Sequence, residues 1–196
     1  VKEQIENIIE IADLYEEIGQ KEKSVSFYRK IVQKNGPDAY LLNKIGMLYG
    51  AIGNYKREEK YYLEADRLSG TWKGPLFNLA LSYRNQGRYV EAAATLDKAL
   101  KVHRPGPHLV LRAMIAEAMD DYEGKESLLD EALHFFAPVS SLDDWELFWY
   151  TSAVRMKKLS DEERMAIDER KKRRSDKKEE DVQGVLPGIN AQPARI

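Results

Sequence analysis

Side chains able to do acid–base, metal or nucleophilic chemistry are few in this chain or badly spaced for it. The three histidines, His103, His108 and His134, fall at no ligand spacing, and the absence of cysteine removes their usual companions in a zinc site. The phosphate cradles G-x-x-x-x-G-K-S/T and G-x-G-x-x-G are missing, as is the G-x-S-x-G nucleophile elbow. The abundant carboxylates fall on charged helical faces rather than in a convincing pair, so the expectation is no catalytic residue, no metal and no cofactor. The densest run of cations is Arg170, Lys171, Lys172, Arg173 and Arg174, a cluster of the kind that marks nuclear import or nucleic-acid binding. Acidic residues flank it on both sides and no aromatic residue is interleaved to stack on bases, so it reads as a charged face in water. Nucleic acid is not an expected partner.

Composition points the same way. A net charge of -2 provides no whole-molecule field, so electrostatic recognition has to be local. Hydrophobic residues at 43% and charged residues at 33% suit stacked helices with exposed outer faces. No apolar run approaches the roughly 20 residues of a membrane span and no signal-peptide pattern opens the chain. With no cysteine, a cytoplasmic location is the expectation. The chain starts at Val1 and helical periodicity begins within a few residues of it, so the true N-terminus is expected to lie upstream.

The elements that must position any binding residue are set by a beat of 34 residues. Ala12, Gly46 and Ala80 share one phase of it, Tyr15, Tyr49 and Tyr83 another, and Gly19, Gly53 and Gly87 a third. Tyr28, Tyr62 and Leu96 form a fourth column, and Ile31, Ala65 and Ala99 a fifth. A unit this short cannot bury its own apolar face, so successive units must stack. Each unit reads as two helices: Leu42, Ile45, Gly46 and Tyr49 share one helical face, and a second stripe runs through Tyr55, Tyr62 and Ala65. The small residue lets the paired helix approach, and the glycine suits the tight turn between the two. Gly36 with Pro37, Ser69 with Gly70, and Arg104 to Pro107 break the helices between units.

The predicted organisation is three repeats at 5–38, 39–72 and 73–105, then a degenerate fourth at 106–137 that is one residue short and has Asp120 in place of the turn glycine. A capping helix is expected over 141–158, with Ser141 or Asp143 as its cap. Its aromatic residues Trp145, Phe148 and Trp149 either close the last repeat or meet another subunit, so a homo-oligomer stays open. Ser160 to Glu163 forms a capping box that opens a charged helix over 160–175, and 176–196 reads as an irregular tail. The fold class is thus all-α, a right-handed α-solenoid of stacked helix-turn-helix repeats with a C-terminal capping helix.

Ile45-Gly46-Met47-Leu48-Tyr49 followed by Gly53-Asn54-Tyr55, and Leu79-Ala80-Leu81-Ser82-Tyr83 followed by Gly87-Arg88-Tyr89 and Ala92, resemble the tetratricopeptide repeat pattern of W-x2-L-G-x2-Y, then A-x3-F. The resemblance covers about residues 5–137. Ile8, Leu42, Leu76 and Leu109 depart from it where the pattern favours tryptophan; Glu58 and Lys125 stand where it favours alanine and read as drift.

The resemblance implies a protein-interaction scaffold whose concave groove, lined by the first helix of each unit, takes an extended or helical peptide. Carried over residue by residue, it places Glu6, Glu10, Asp13 and Glu16 at an acidic end that favours a basic stretch on the partner. Tyr40, Asn43, Lys44 and Met47 come from the second unit, Phe77, Asn78, Leu81 and Arg84 from the third, and Val110, Leu111 and Met114 from the fourth. The clamp with which some family members grip an acidic C-terminus is excluded, because Ile9, Asp13, Lys44, Gly74 and Asn78 hold its five places and supply one cation. Two other readings stand beside the scaffold. In one the repeats are an oligomerisation or substrate-docking arm of a larger enzyme; in the other the tail docks in a groove through Val185, Leu186 and Ile189.

Overall fold

Four turns of nearly identical construction organise the molecule. Gly19, Gly53 and Gly87 adopt φ of 78°, 81° and 74°, and Asp120 takes the same left-handed conformation at φ 59°. At each, the following amide donates back to the carbonyl five residues earlier: Gln20 to Tyr15, Asn54 to Tyr49, Arg88 to Tyr83 and Asp121 to Ala116. These bonds satisfy carbonyls that a helix end leaves open. The chain can therefore reverse tightly after every first helix.

The structure, a computed structural model, describes residues 2–137 and 139–157 together with Glu169 and Lys172. Among the described residues there are nine α-helices and no strand. They are α1 (Lys2–Glu17), α2 (Lys21–Asn35), α3 (Ala39–Ala51), α4 (Tyr55–Leu68), α5 (Gly74–Asn85), α6 (Tyr89–Leu100), α7 (Gly106–Ala118), α8 (Tyr122–Phe135) and, after a 3-10 turn at Val139–Ser141, α9 (Asp144–Lys157). Helices pair as α1 with α2, α3 with α4, α5 with α6 and α7 with α8, and each pair stacks on the next to give an all-α tetratricopeptide-like solenoid. The charged helix expected over 160–175, with its basic cluster, lies outside the described residues except for Glu169 and Lys172. The expected tail at 176–196 lies wholly outside them.

Local chemistry starts the helices. Asp38 caps α3 by accepting from the amides of Tyr40 and Leu41; Asn54 does the same for α4 through Arg57, and Asp121 for α8 through Gly124. Pro75 occupies the first turn of α5, where its missing N–H costs nothing. Asp143, rather than Ser141, caps α9: its carboxylate accepts from the Glu146 amide while the Glu146 carboxylate accepts from the Asp143 amide.

The small-residue column holds paired helices close. A Cβ added at Gly46 of that column would lie 2.8 Å from the Tyr62 ring; outside the column, one at Gly106, where α7 begins, would lie 2.5 Å from Phe136. The buried apolar residues divide into two clusters. One joins Ala12, Val25, Tyr28, Ile31, Ile45, Leu48 and Tyr49; the larger runs from Tyr62 to Val154. Asp66 ties neighbouring pairs together, its carboxylate 3.1 Å from Lys73 and 2.5 Å from Lys98. Burial alone would raise its pKa, but the two ammonium groups more than offset that and hold it below the usual carboxylate range.

Helix α9 packs on both α7 and α8. It does not simply continue the stack. Trp149 and Trp145 of α9 reach Phe77 of α5 with ring centroids 5.4 and 6.1 Å apart, so α9 leans across α7 toward the preceding pair.

Candidate protein-interaction groove

The first helices stand side by side, α3 touching α5 and α5 touching α7, and together line one face of the solenoid. On α3, Tyr40 is 65% exposed and Met47 46% exposed, both available to a partner. Asn43 is buried, and its side-chain oxygen accepts from Asn78 at 3.0 Å while its amide approaches the Met47 sulfur at 3.8 Å. The two asparagines are thus joined across neighbouring units. That bond fixes the Asn78 side chain and leaves its own carbonyl oxygen for a ligand. Leu81 and Arg84 are half-buried on α5.

At the N-terminal end, Lys44 lies 2.8 Å from Glu16 and 3.7 Å from Asp13, and Asp13 also accepts from the Tyr28 hydroxyl at 2.5 Å. Burial lowers the Lys44 pKa, but these carboxylates outweigh it and raise the pKa overall. Lys44 therefore answers part of the acidic end from within the molecule. Glu10 is exposed to solvent, as is Glu6.

Besides Asn43, three residues expected in the groove are covered. Val110 and Leu111 are fully buried and Phe77 is 6% exposed. The physical reason is α9: helical phase makes the inner faces of α5 and α7 available, and the leaning helix packs on α7, joins Val110 and Leu111 in one core cluster and meets Phe77 with Trp149, itself buried. Met114 is half-buried and packs against the same core. Trp145 and Phe148 keep 53% and 60% of their surface exposed, so α9 buries one side and presents another. His108 sits beneath Phe77 at a centroid distance of 4.8 Å. Burial pushes its pKa down to about 4, the Lys73 backbone offsetting only part of this, so the ring is neutral at pH 7.

Models of the tetratricopeptide repeat match residues 5–33, 39–71 and 75–104, in register with the first three helix pairs. These three helix pairs are tetratricopeptide repeats. The repeats make the chain a protein-interaction scaffold, the role for which the stacked first helices are built. A search of curated proteins finds no match.

Among solved structures it resembles BtubC (BKLC) from P. vanneervenii at 22% identity and TM-score 0.60, covering 71% of this chain and 65% of that one. The chain thus spans slightly less than two thirds of the BtubC structure. MamA 41-end from Desulfovibrio magneticus RS-1 aligns at 11% identity and TM-score 0.57, covering 67% and 75% of the two chains. A tetratricopeptide repeat protein from Parabacteroides merdae ATCC 43184 aligns at 16% identity and TM-score 0.60, covering 79% and 60%. At these identities the likeness is one of fold.

One feature of these repeats escaped the groove positions. Glu58, the supposed drift from alanine on α4, is 5% exposed and accepts from Ser82 of the next unit at 2.7 Å. It borders an open pocket of about 320 Å³ between α3, α4 and α5. The signal lay in the unit itself: Gly50, one helix earlier, leaves the space the carboxylate fills, and a Cβ there would collide with Glu58.

Proposed function

We propose that the open part of this face, from α1 to α5, binds an extended or helical peptide segment of a protein partner. The observation that carries this reading is the pairing of solvent-exposed Tyr40 and Met47 with the Asn43–Asn78 amide link in one strip. Exposed apolar anchors beside amides whose orientation is fixed suit a peptide, whose backbone needs donors and acceptors and whose side chains need pockets. Exposed Glu10 on α1 favours a basic stretch at one end of the ligand.

Tyr40 and Met47 are the clean probes, because neither holds the fold. Asn78 is not, since its removal strands the buried Asn43 carbonyl. In a peptide-array capture, the Tyr40→Ala, Met47→Ala double variant should melt as the parent does and bind its selected peptides at least about tenfold more weakly. Equal binding by the two proteins would overturn the groove.

A second reading, self-association through α9, draws on the exposed rings of Trp145 and Phe148. Light scattering of the parent against Phe148→Ser tests it. A mass of twice the protomer that halves in the variant is the expected outcome, and an unchanged protomer mass in both removes the reading.

A further inference from the structure

Among the described residues Glu58 has no cation to answer it. Its one hydrogen bond is from the Ser82 hydroxyl at 2.7 Å, and no lysine, arginine or histidine lines the pocket it borders. A carboxylate taken out of water without a counter-ion is expensive, and one neutral hydroxyl repays only part of the cost. Burial accordingly pushes its carboxyl above the usual range, with Ser82 pulling the other way. The Tyr62 hydroxyl beside it is pushed up as well, first by burial and then by the charge of Glu58.

The pocket is open to solvent and sets apolar walls beside one carboxylate. Its walls carry Met47, Tyr55, Tyr62 and Leu81, with Asn78 and Asn85 at the polar side. Its volume of about 320 Å³ is roughly ten times the ~30 Å³ share of one water molecule, so it admits a long side chain. Lysine and arginine bury an apolar stem while the head seeks a partner, and tyrosine rings add attraction for a cation.

We propose that a lysine or arginine side chain of the bound partner enters this pocket between α3, α4 and α5 and pairs with Glu58, oriented by the Ser82 hydroxyl. The inference rests on the groove reading above and assigns it a specificity pocket. It replaces the view of Glu58 as drift with one in which the carboxylate waits for a charge supplied in trans.

The full-length protein, isotope-labelled, is titrated by NMR with acetyl-Leu-Lys-Leu-amide, its uncharged analogue acetyl-Leu-norleucine-Leu-amide, and n-butylammonium as a free amine. Expected are shifts of the Asn78 and Asn85 side-chain amides with the lysine peptide, at least about tenfold weaker binding of the norleucine peptide, and the same loss for Glu58→Gln with the lysine peptide. Butylammonium should bind more weakly than the lysine peptide; equal binding would mean a free-amine site and overturn the peptide assignment. Independently of any variant, the lysine peptide should lower the midpoint of the Glu58 carboxyl titration in the parent while the norleucine peptide leaves it in place. Equal effects of the two peptides, or none, overturn the proposal. Tyr40 lies outside the pocket, so Tyr40→Ala should leave the tripeptide unaffected. A groove that binds array peptides without regard to Glu58 sinks this inference alone, whereas a tripeptide signal without array binding sinks the groove alone.

Discussion

His108 shows how a single ring becomes a stability element. It is 8% exposed and held neutral, with its pKa moved from 6.5 to about 4. The unfolded chain therefore binds a proton that the folded one refuses, so stability is fully present above the unfolded value and is lost as pH falls toward the folded one. Between about pH 7 and about pH 5 the parent should lose about 2 kcal/mol to this ring alone. His108→Leu should flatten that part of the profile in chemical denaturation at the two pH values; an unchanged slope would show that the ring titrates normally. The same packing explains why Phe77, on the inner face by helical phase, is a core residue in fact. Its neighbours include His108, Trp145 and Trp149.

At the scale of elements the turns carry the most information, and the turn between α7 and α8 is the uneven one. Asp120 holds φ 59° without being glycine, and its carboxylate accepts an exposed bond from Tyr122 at 3.1 Å. A Cβ in that region costs roughly 1 kcal/mol, part of which returns as entropy when glycine loosens the unfolded chain. Asp120→Gly should therefore raise the unfolding free energy from chemical denaturation by up to about 0.5 kcal/mol, and a fall would mean that the Tyr122 bond matters more than the strain. The four turns were legible in the sequence because each is a local event, signalled by three glycines on the 34-residue beat and by an aspartate one residue early. The covering of Phe77, Val110 and Leu111 was not, because periodicity gives the face of a helix and says nothing of the tilt of another helix far along the chain. Glu58 reads as drift within its column because its partner Ser82 lies 24 residues away in the next unit, although Gly50 of its own unit leaves the space its carboxylate fills.

At the scale of the whole molecule the two clusters of buried residues divide the array. The smaller belongs to the α1–α3 end, where Ile11 and Leu14 of α1 and Ile18 just after it keep much of their surface in water. The larger extends from Tyr62 to Val154 and is closed by α9. In a one-dimensional array an uncovered end opens first, so native-state hydrogen exchange should release the amides of α1 and α2 at lower free energy than those of α5, α7 and α9. Uniform protection across the nine helices would contradict that division. Stacked repeats otherwise make contacts between near neighbours in sequence, the arrangement that folds fast. The contact of Phe77 with Trp149 breaks this rule, since the chain must first order everything between them before the two rings can meet. A molecule assembled from local pieces thus keeps a distant closure for late in folding, and the docking of α9 binds α5, α7 and α9 into one unit while the α1–α2 end is left to open by itself.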